Sequence, residues 1–183
     1  KEYLKLSDDD TKVIECKNKL LQSKVYERAL KKLEKEKPWA KFDAIMAFAE
    51  WGLTRADIGS DIDEEVFSLI QSTGFKMLCG EPYLLRNLVK LGYYQVDIVK
   101  EEIGCMLGRI KEDGEFGCIS SNKKTNDPKK PHKSCARLTV EYLLLVAELH
   151  LLGIECECES ALVHYFTKRN IFYRTDNIEA PMV

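Results

Sequence analysis

Apolar residues fall along this chain in helical steps, and glycine closes one run after another. Phe48-Ala49-Glu50-Trp51-Gly52-Leu53 is one such closing. Leu88-Val89-Lys90-Leu91-Gly92-Tyr93 and Leu149-His150-Leu151-Leu152-Gly153-Ile154 are two more. Each has an apolar residue, two spacers, another apolar residue and then glycine, which readily takes the left-handed backbone that ends a helix. A second helical run follows each glycine, and its end repeats too. These ends are Ile70-Gln71-Ser72-Thr73-Gly74-Phe75, Ile110-Lys111-Glu112-Asp113-Gly114-Glu115-Phe116 and Phe166-Thr167-Lys168-Arg169-Asn170-Ile171-Phe172. Gly or Asn stops the helix, and a Phe then returns to the core. The pattern predicts an all-α chain with three helical hairpins, over 38–75, 82–116 and 134–172.

The helix starts are readable as well. Pro38 and Pro82 stand where a first turn accepts proline. Ser134 suits the cap of a helix beginning near Cys135, and Asp61 or Asp63 the cap of a helix through Val66, Leu69 and Ile70. Residues 136–152 are apolar on nearly every face, which predicts a helix buried all round at the centre of the fold. Residues 1–37 read as a charged helical segment, with Ser7 and Asp10 as a loose capping box. Within it Leu21, Val25, Ala29 and Leu33 form a stripe expected to pack on the first hairpin. Residues 119–133 form a polar insert and 176–183 a tail.

Composition narrows the function classes. The chain has 183 residues, 45% hydrophobic and 32% charged, as a globular domain with its own core requires. A net charge of -2 argues against broad nucleic-acid binding. Lys123, Lys124, Lys129, Lys130 and Lys133 read as a solvated loop. The longest apolar run, Tyr142 to Leu149, is broken by Glu148 and is too short to span a bilayer. No secretory signal opens the sequence, and seven cysteines are an odd number, so reduced thiols and a cytoplasmic location are expected. The first residue is not Met, so the chain reads as trimmed or as a piece of something longer.

The unit of helix, Gly, helix and Asp-Gly-x-Phe-Gly resembles the repeat of the terpenoid cyclase and protein prenyltransferase superfamily. Gly92 through Cys118 carries the best match, above all Asp113-Gly114-Glu115-Phe116-Gly117, with 38–75 and 134–172 as weaker copies. The resemblance implies a ring of paired helices, the α/α toroid, partial or complete. It also implies a central apolar cavity for an isoprenoid or other lipid-like molecule. Three hairpins are about half of a six-hairpin ring, so the remainder of the ring or a protein partner is expected to complete it. If the chain is an enzyme, the implied class is isoprenoid transfer or cyclisation. The acid motif of cyclases, Asp-x-Asp-Asp, is nearest to Asp61-Ile62-Asp63-Glu64, which also suits a helix start. The transferase zinc set begins with Asp-x-Cys, which this chain lacks; Cys156-Glu157-Cys158 has the spacing without the Asp.

Other chemistry follows from the residues. Cys118, His132 and Cys135 bracket the insert and are the candidate zinc ligands, with Cys105, Cys156 or Cys158 as a fourth. Buried small hydrophobes or surface thiols are the structural alternative. Cys135 at a helix start, one turn from His132, also suits a nucleophile. Arg137 at the same helix start suits a phosphate or diphosphate, or is an ordinary surface arginine. Trp39, Phe42, Phe48, Trp51 and Tyr142 would line an aromatic cavity, or form plain core. His150 is expected to be partly buried and hydrogen-bonded, and His164 to lie one turn from Lys168. The competing function is a non-catalytic helical-repeat scaffold whose Cys/His insert is structural or binds a partner.

Overall fold

Side-chain caps and left-handed glycines place the helices of the computed structural model. It describes residues 7, 9–72, 80–115, 136–168, 173–174 and 177–181, with the backbone alone at 61, 80, 136 and in the strands. The chain forms two compact units, Lys1–Leu69 and Ile70–Val183. Within the first unit the helix Lys24–Leu33 of the N-terminal segment packs on the helix Pro38–Glu50.

In the first unit, α1 (Thr11–Leu21) opens on Asp10, whose carboxylate accepts the Lys12 N–H at 2.9 Å. Asp10 is therefore the cap, and Ser7 contributes only its carbonyl, which accepts the Asp10 N–H. Ser23 caps α2 (Lys24–Leu33) by accepting the Tyr26 N–H at 3.2 Å. That break restarts the helical phase. The expected stripe survives only in part: Leu21 is half-buried and Val25 is 53% exposed, while Ala29 and Leu33 face inward, joined by Tyr26. They meet α3 (Pro38–Glu50), which buries Phe42, Ala44, Ile45, Phe48 and Ala49. The rings of Tyr26 and Phe48 stand 5.5 Å apart.

α3 ends at Trp51, and Gly52 follows with φ 69°. The Leu53 N–H reaches back to the Phe48 carbonyl and the Gly52 N–H to that of Ala49, both at 3.1 Å. This double closure is the Schellman motif, and Leu53 re-enters the core beside Phe48. The short α4 (Arg55–Ile58) begins on a reciprocal capping box between Thr54 and Asp57. A 3-10 turn, Ser60–Ile62, then leads into α5 (Asp63–Gln71). Asp63 already has helical angles and does not cap; its carboxylate pairs with Arg55 instead.

The second unit holds α6 (Gly80–Lys90), α7 (Asp97–Leu107), α8 (Ala136–Leu151) and α9 (Glu159–Thr167). Gly92 turns α6 toward α7 at φ 87°, through a 3-10 turn over Tyr93–Gln95. Gly153 ends α8 at φ 76°, with the Ile154 N–H on the Leu149 carbonyl at 3.1 Å. α6 packs against α7, α8 and the 3-10 turn, and every described side chain from Glu81 to Val89 is buried or half-buried. It is thus the most enclosed helix, where α8 was expected to be. α8 buries one face only, through Leu138, Thr139, Tyr142, Leu145, Val146 and Leu149, while Val140 and Leu151 are exposed. Two short strands, β1 (Tyr173–Arg174) and β2 (Asn177–Pro181), pair antiparallel, so part of the expected tail is a strand. Gly74, Phe75, Phe116, the insert 119–133 with its lysines, Ser134, Asn170 and Phe172 lie outside the described residues.

Among the described glycines Gly114 is the most tightly packed. Its φ is 76°, and a Cβ there would stand 2.1 Å from the Ala161 carbonyl oxygen on α9. The Asp113-Gly114 turn therefore seats directly on the backbone of α9. At Gly92 a Cβ would meet nothing within 4 Å. Gly114→Ala should cost about 3–5 kcal/mol, strain plus overlap, and Gly92→Ala only about 1–2 kcal/mol for the left-handed backbone. Urea unfolding of the two variants checks this; equal costs would show that the turn does not seat on α9.

Candidate functional site

The most unusual side chains of the molecule lie where α6, α7 and α8 meet. Glu81, in the first turn of α6, is 6% exposed. Its position suits the helix dipole, yet it shares the inward stripe with Leu84, Leu85 and Leu88. Glu102 on α7 lies beside the buried Val99, Ile103 and Met106 and keeps 13% side-chain exposure. Glu102 lies near enough to raise the Glu81 carboxyl. Arg109, just past the end of α7, places Nη1 3.4 Å from both oxygens of Glu81 and Nη2 3.9 Å from Glu102 Oε1.

Burial and these distances together set the protonation. A short charge-assisted pair stands at about 2.7–2.9 Å. At 3.4 Å the guanidinium is a weaker counterweight to the loss of water around Glu81. Burial is the largest influence and pushes the Glu81 carboxyl up to about 7, with Glu102 adding to the rise and Arg109 opposing it. Tyr142, fully buried on α8, lies within the same field. Burial and the charge of Glu81 hold its phenol well above the usual range, so it stays neutral. Beside this group, Arg86 donates from Nε to Glu148 at 3.2 Å, and Asn87 donates to the Tyr83 carbonyl at 2.8 Å. A carboxyl that titrates near neutrality beside a second carboxyl, an arginine and a tyrosine has the composition of an acid–base centre.

The residues singled out from the sequence are distributed differently. Asp63 is paired with Arg55 in the first unit, which suits structure more than proton donation. The backbone of Asp61 lies in the 3-10 turn before α5. Trp51, also in the first unit, is half-buried with its ring 5.9 Å from that of Phe48. Trp39 is 55% exposed, whereas Phe42, Phe48 and Tyr142 are core. In the second unit, Arg137 is exposed near the start of α8, five residues from the buried Tyr142. Cys118, His132 and Cys135 lie outside the described residues.

Of the possible further ligands, Cys105 is exposed, and Cys156 and Cys158 are half-buried before α9. Burial pushes both of the latter thiols up, with Glu159 adding to each, which favours the protonated form over the thiolate that a metal needs. Among the described residues no group of three or more His, Cys, Asp and Glu side chains is placed to hold a metal. His150 is more open than expected, with 65% of its side chain exposed, because it ends α8 on the solvent side. Its Nδ1 stands 3.5 Å from Glu159 Oε2.

Glu81 and Glu102 escaped the sequence reading because each looks like an ordinary helix charge, Glu81 beside Pro82 at a helix start and Glu102 after Lys100 and Glu101. The available signal was their register. Both occupy positions three or four residues from buried apolar side chains, where a solvated glutamate does not belong.

The folded-state pKa of Glu81, about 7, lies above the ordinary 4.5. The native state therefore holds a proton that the unfolded chain releases, and stability is greatest below the unfolded value and falls as pH rises through 7. The loss between about pH 5 and pH 8 should be on the order of 2–3 kcal/mol from this group. Glu81→Gln should flatten that slope and be the more stable protein at high pH. Urea unfolding followed by helical circular dichroism decides it: equal slopes in both proteins would remove Glu81 as the cause.

Comparison with family models, with curated proteins and with solved structures returned no match.

Proposed function

We propose that this chain is a helical-hairpin domain of the terpenoid cyclase and protein prenyltransferase type, a partial or complete α/α toroid, that holds an apolar isoprenoid- or lipid-like molecule. The observation that carries the reading is the Asp113-Gly114 turn. It follows α7, has its glycine at φ 76°, and packs on the backbone of α9. A turn that docks one helix pair on the next is what a ring of hairpins requires. The left-handed glycines at 52, 92 and 153, each placed after the first helix of a pair, support the same reading. Catalysis of the isoprenoid-transfer or cyclisation class would draw its acid from Glu81, the buried carboxyl beside Tyr142, in place of Asp61 or Asp63. Cys118, His132 and Cys135 would hold zinc, and Arg137, exposed in the first turn of α8, would meet a diphosphate.

A second reading is a non-catalytic scaffold that binds another protein. Its support is apolar exposure in the first unit, where Ile14, Val25 and Trp39 are 46%, 53% and 55% exposed. Among the described residues no helix is long and apolar enough to cross a membrane.

Native and denaturing mass spectra of the full chain, with metal analysis and a farnesyl diphosphate titration, separate the two. The ligand reading expects a lipid-sized increment or saturable binding, and Arg137→Ala should weaken the diphosphate by about tenfold while leaving farnesol unchanged. A zinc-sized increment lost in Cys118→Ser would establish the metal. No copurifying lipid and no farnesyl binding would leave the scaffold.

A further inference from the structure

We propose that Cys156 and Cys158 are a redox modification site, a pair of thiols at the junction of α8 and α9 that closes reversibly to a disulfide at the expense of glutathione disulfide. The pair has no part in the ligand reading, and either can fail without the other.

Gly153 ends α8, and residues 154–158 carry the chain to the first residue of α9. Within them the Glu159 N–H donates to the Cys156 carbonyl at 3.0 Å and closes a four-residue turn over 156–159. Cys158, third in that turn, has φ -78° and ψ -7°, the angles of a type I turn. Residues two apart in such a near-helical turn have Cα atoms about 5.5 Å apart. A disulfide accepts about 4.4–6.8 Å.

Distance alone does not fix direction, since residues two apart on a helix point away from each other. Cys156 and Cys158 precede α9, and exposure alternates along this stretch. Glu155 and Glu157 are exposed, whereas Cys156 and Cys158 are half-buried. Both thiols therefore lie on the inner side of the turn. Charge on Cys156 is felt at Cys158, in keeping with that placement. Both are free cysteines; of the other described ones, Cys16 belongs to the first unit and Cys105 to α7.

The chemistry is thiol–disulfide exchange. One cysteine, as its thiolate, attacks a sulfur of glutathione disulfide, and the first glutathione leaves. The second cysteine gives its proton to buffer and attacks the sulfur of the first, and the second glutathione leaves. Each departing thiolate takes a proton from buffer. Two S–H bonds of the pair become one S–S bond, and the two electrons given up reduce glutathione disulfide to two thiols. Burial and Glu159 keep both cysteines in the protonated form, so they resist casual oxidation. A ring across one intervening residue is strained, which places it among readily reduced disulfides and not among permanent structural ones. It stays open in a reducing compartment and closes when the disulfide fraction of the glutathione pool rises. The ring abuts the first turn of α9, where the Leu162 N–H bonds the Cys158 carbonyl at 3.0 Å and Ala161 lies under Gly114.

Peptide mass decides this on the full chain. Cleavage after Arg137 and Lys168 releases 138–168, which holds Cys156 and Cys158 and no other cysteine. After equilibration with glutathione disulfide, acid quenching and alkylation, the peptide should be lighter by two hydrogens and carry no alkyl group. About a hundredfold excess of reduced glutathione should return it to two alkylated thiols. Cys156→Ser and Cys158→Ser should each stop at one glutathione on the remaining cysteine. A wild-type peptide that keeps both thiols, holds glutathione without closing, or is joined to another cysteine peptide overturns the proposal. So does a ring that survives the excess of reduced glutathione. The wild-type peptide alone decides should a variant fail to fold.

Discussion

A glycine with left-handed backbone angles stands after the first helix of each of three pairs, and the packing of the chain depends on that reversal. Gly52, Gly92 and Gly153 have φ values of 69°, 87° and 76°. A side-chain-bearing residue would cost about 1–2 kcal/mol at each. The geometry lets the next amide return to a helix carbonyl, so that Leu53 bonds to Phe48 and Ile154 to Leu149. At Gly52 that amide belongs to Leu53, so the closing bond also sends a core side chain inward, while Ile154 is half-buried. Helix end, chain reversal and core entry are thus one local event.

Those events were legible in the sequence because glycine has few substitutes at positive φ. Phase and depth were less so. The stripe through Leu21, Val25, Ala29 and Leu33 assumes one continuous helix, and the Ser23 cap breaks it, so Val25 turns outward and Tyr26 inward. For α8 the count of apolar residues overstated burial, since Leu151 is 80% exposed and Val140 39%. The candidate site was the hardest to read. Tyr142 was singled out as an aromatic and is indeed inside, but Glu81 and Glu102 look like solvated helix charges until the partners of their faces are known. A single sequence gives register; it does not say which of several charged positions another helix will cover.

The two units treat their carboxylates in opposite ways. Asp57, in the first unit, loses some water to burial, yet Lys17 at 2.9 Å and both the amide and hydroxyl of Thr54 hold it below the usual range. Arg55 and Lys41 likewise engage Asp63 and Glu65 directly. In the second unit the partner of Glu81 stands farther off and is shared. Depth of burial, together with the distance and number of donors, separates a carboxylate that anchors a cap from a carboxyl that titrates near neutrality.

Both tryptophans, Trp39 and Trp51, belong to the first unit. Of the eight tyrosines, Tyr3 and Tyr26 belong to the first unit and Tyr83, Tyr93, Tyr94, Tyr142, Tyr165 and Tyr173 to the second. Indole fluorescence therefore reports on the N-terminal helices alone, with Trp39 already open to quenchers in the native state. The titrating centre among α6, α7 and α8 is dark at that wavelength. An unfolding curve read from tryptophan emission follows the first unit alone, one read from phenol absorbance is weighted toward the second, and their coincidence or separation is an optical measure of whether the units melt together.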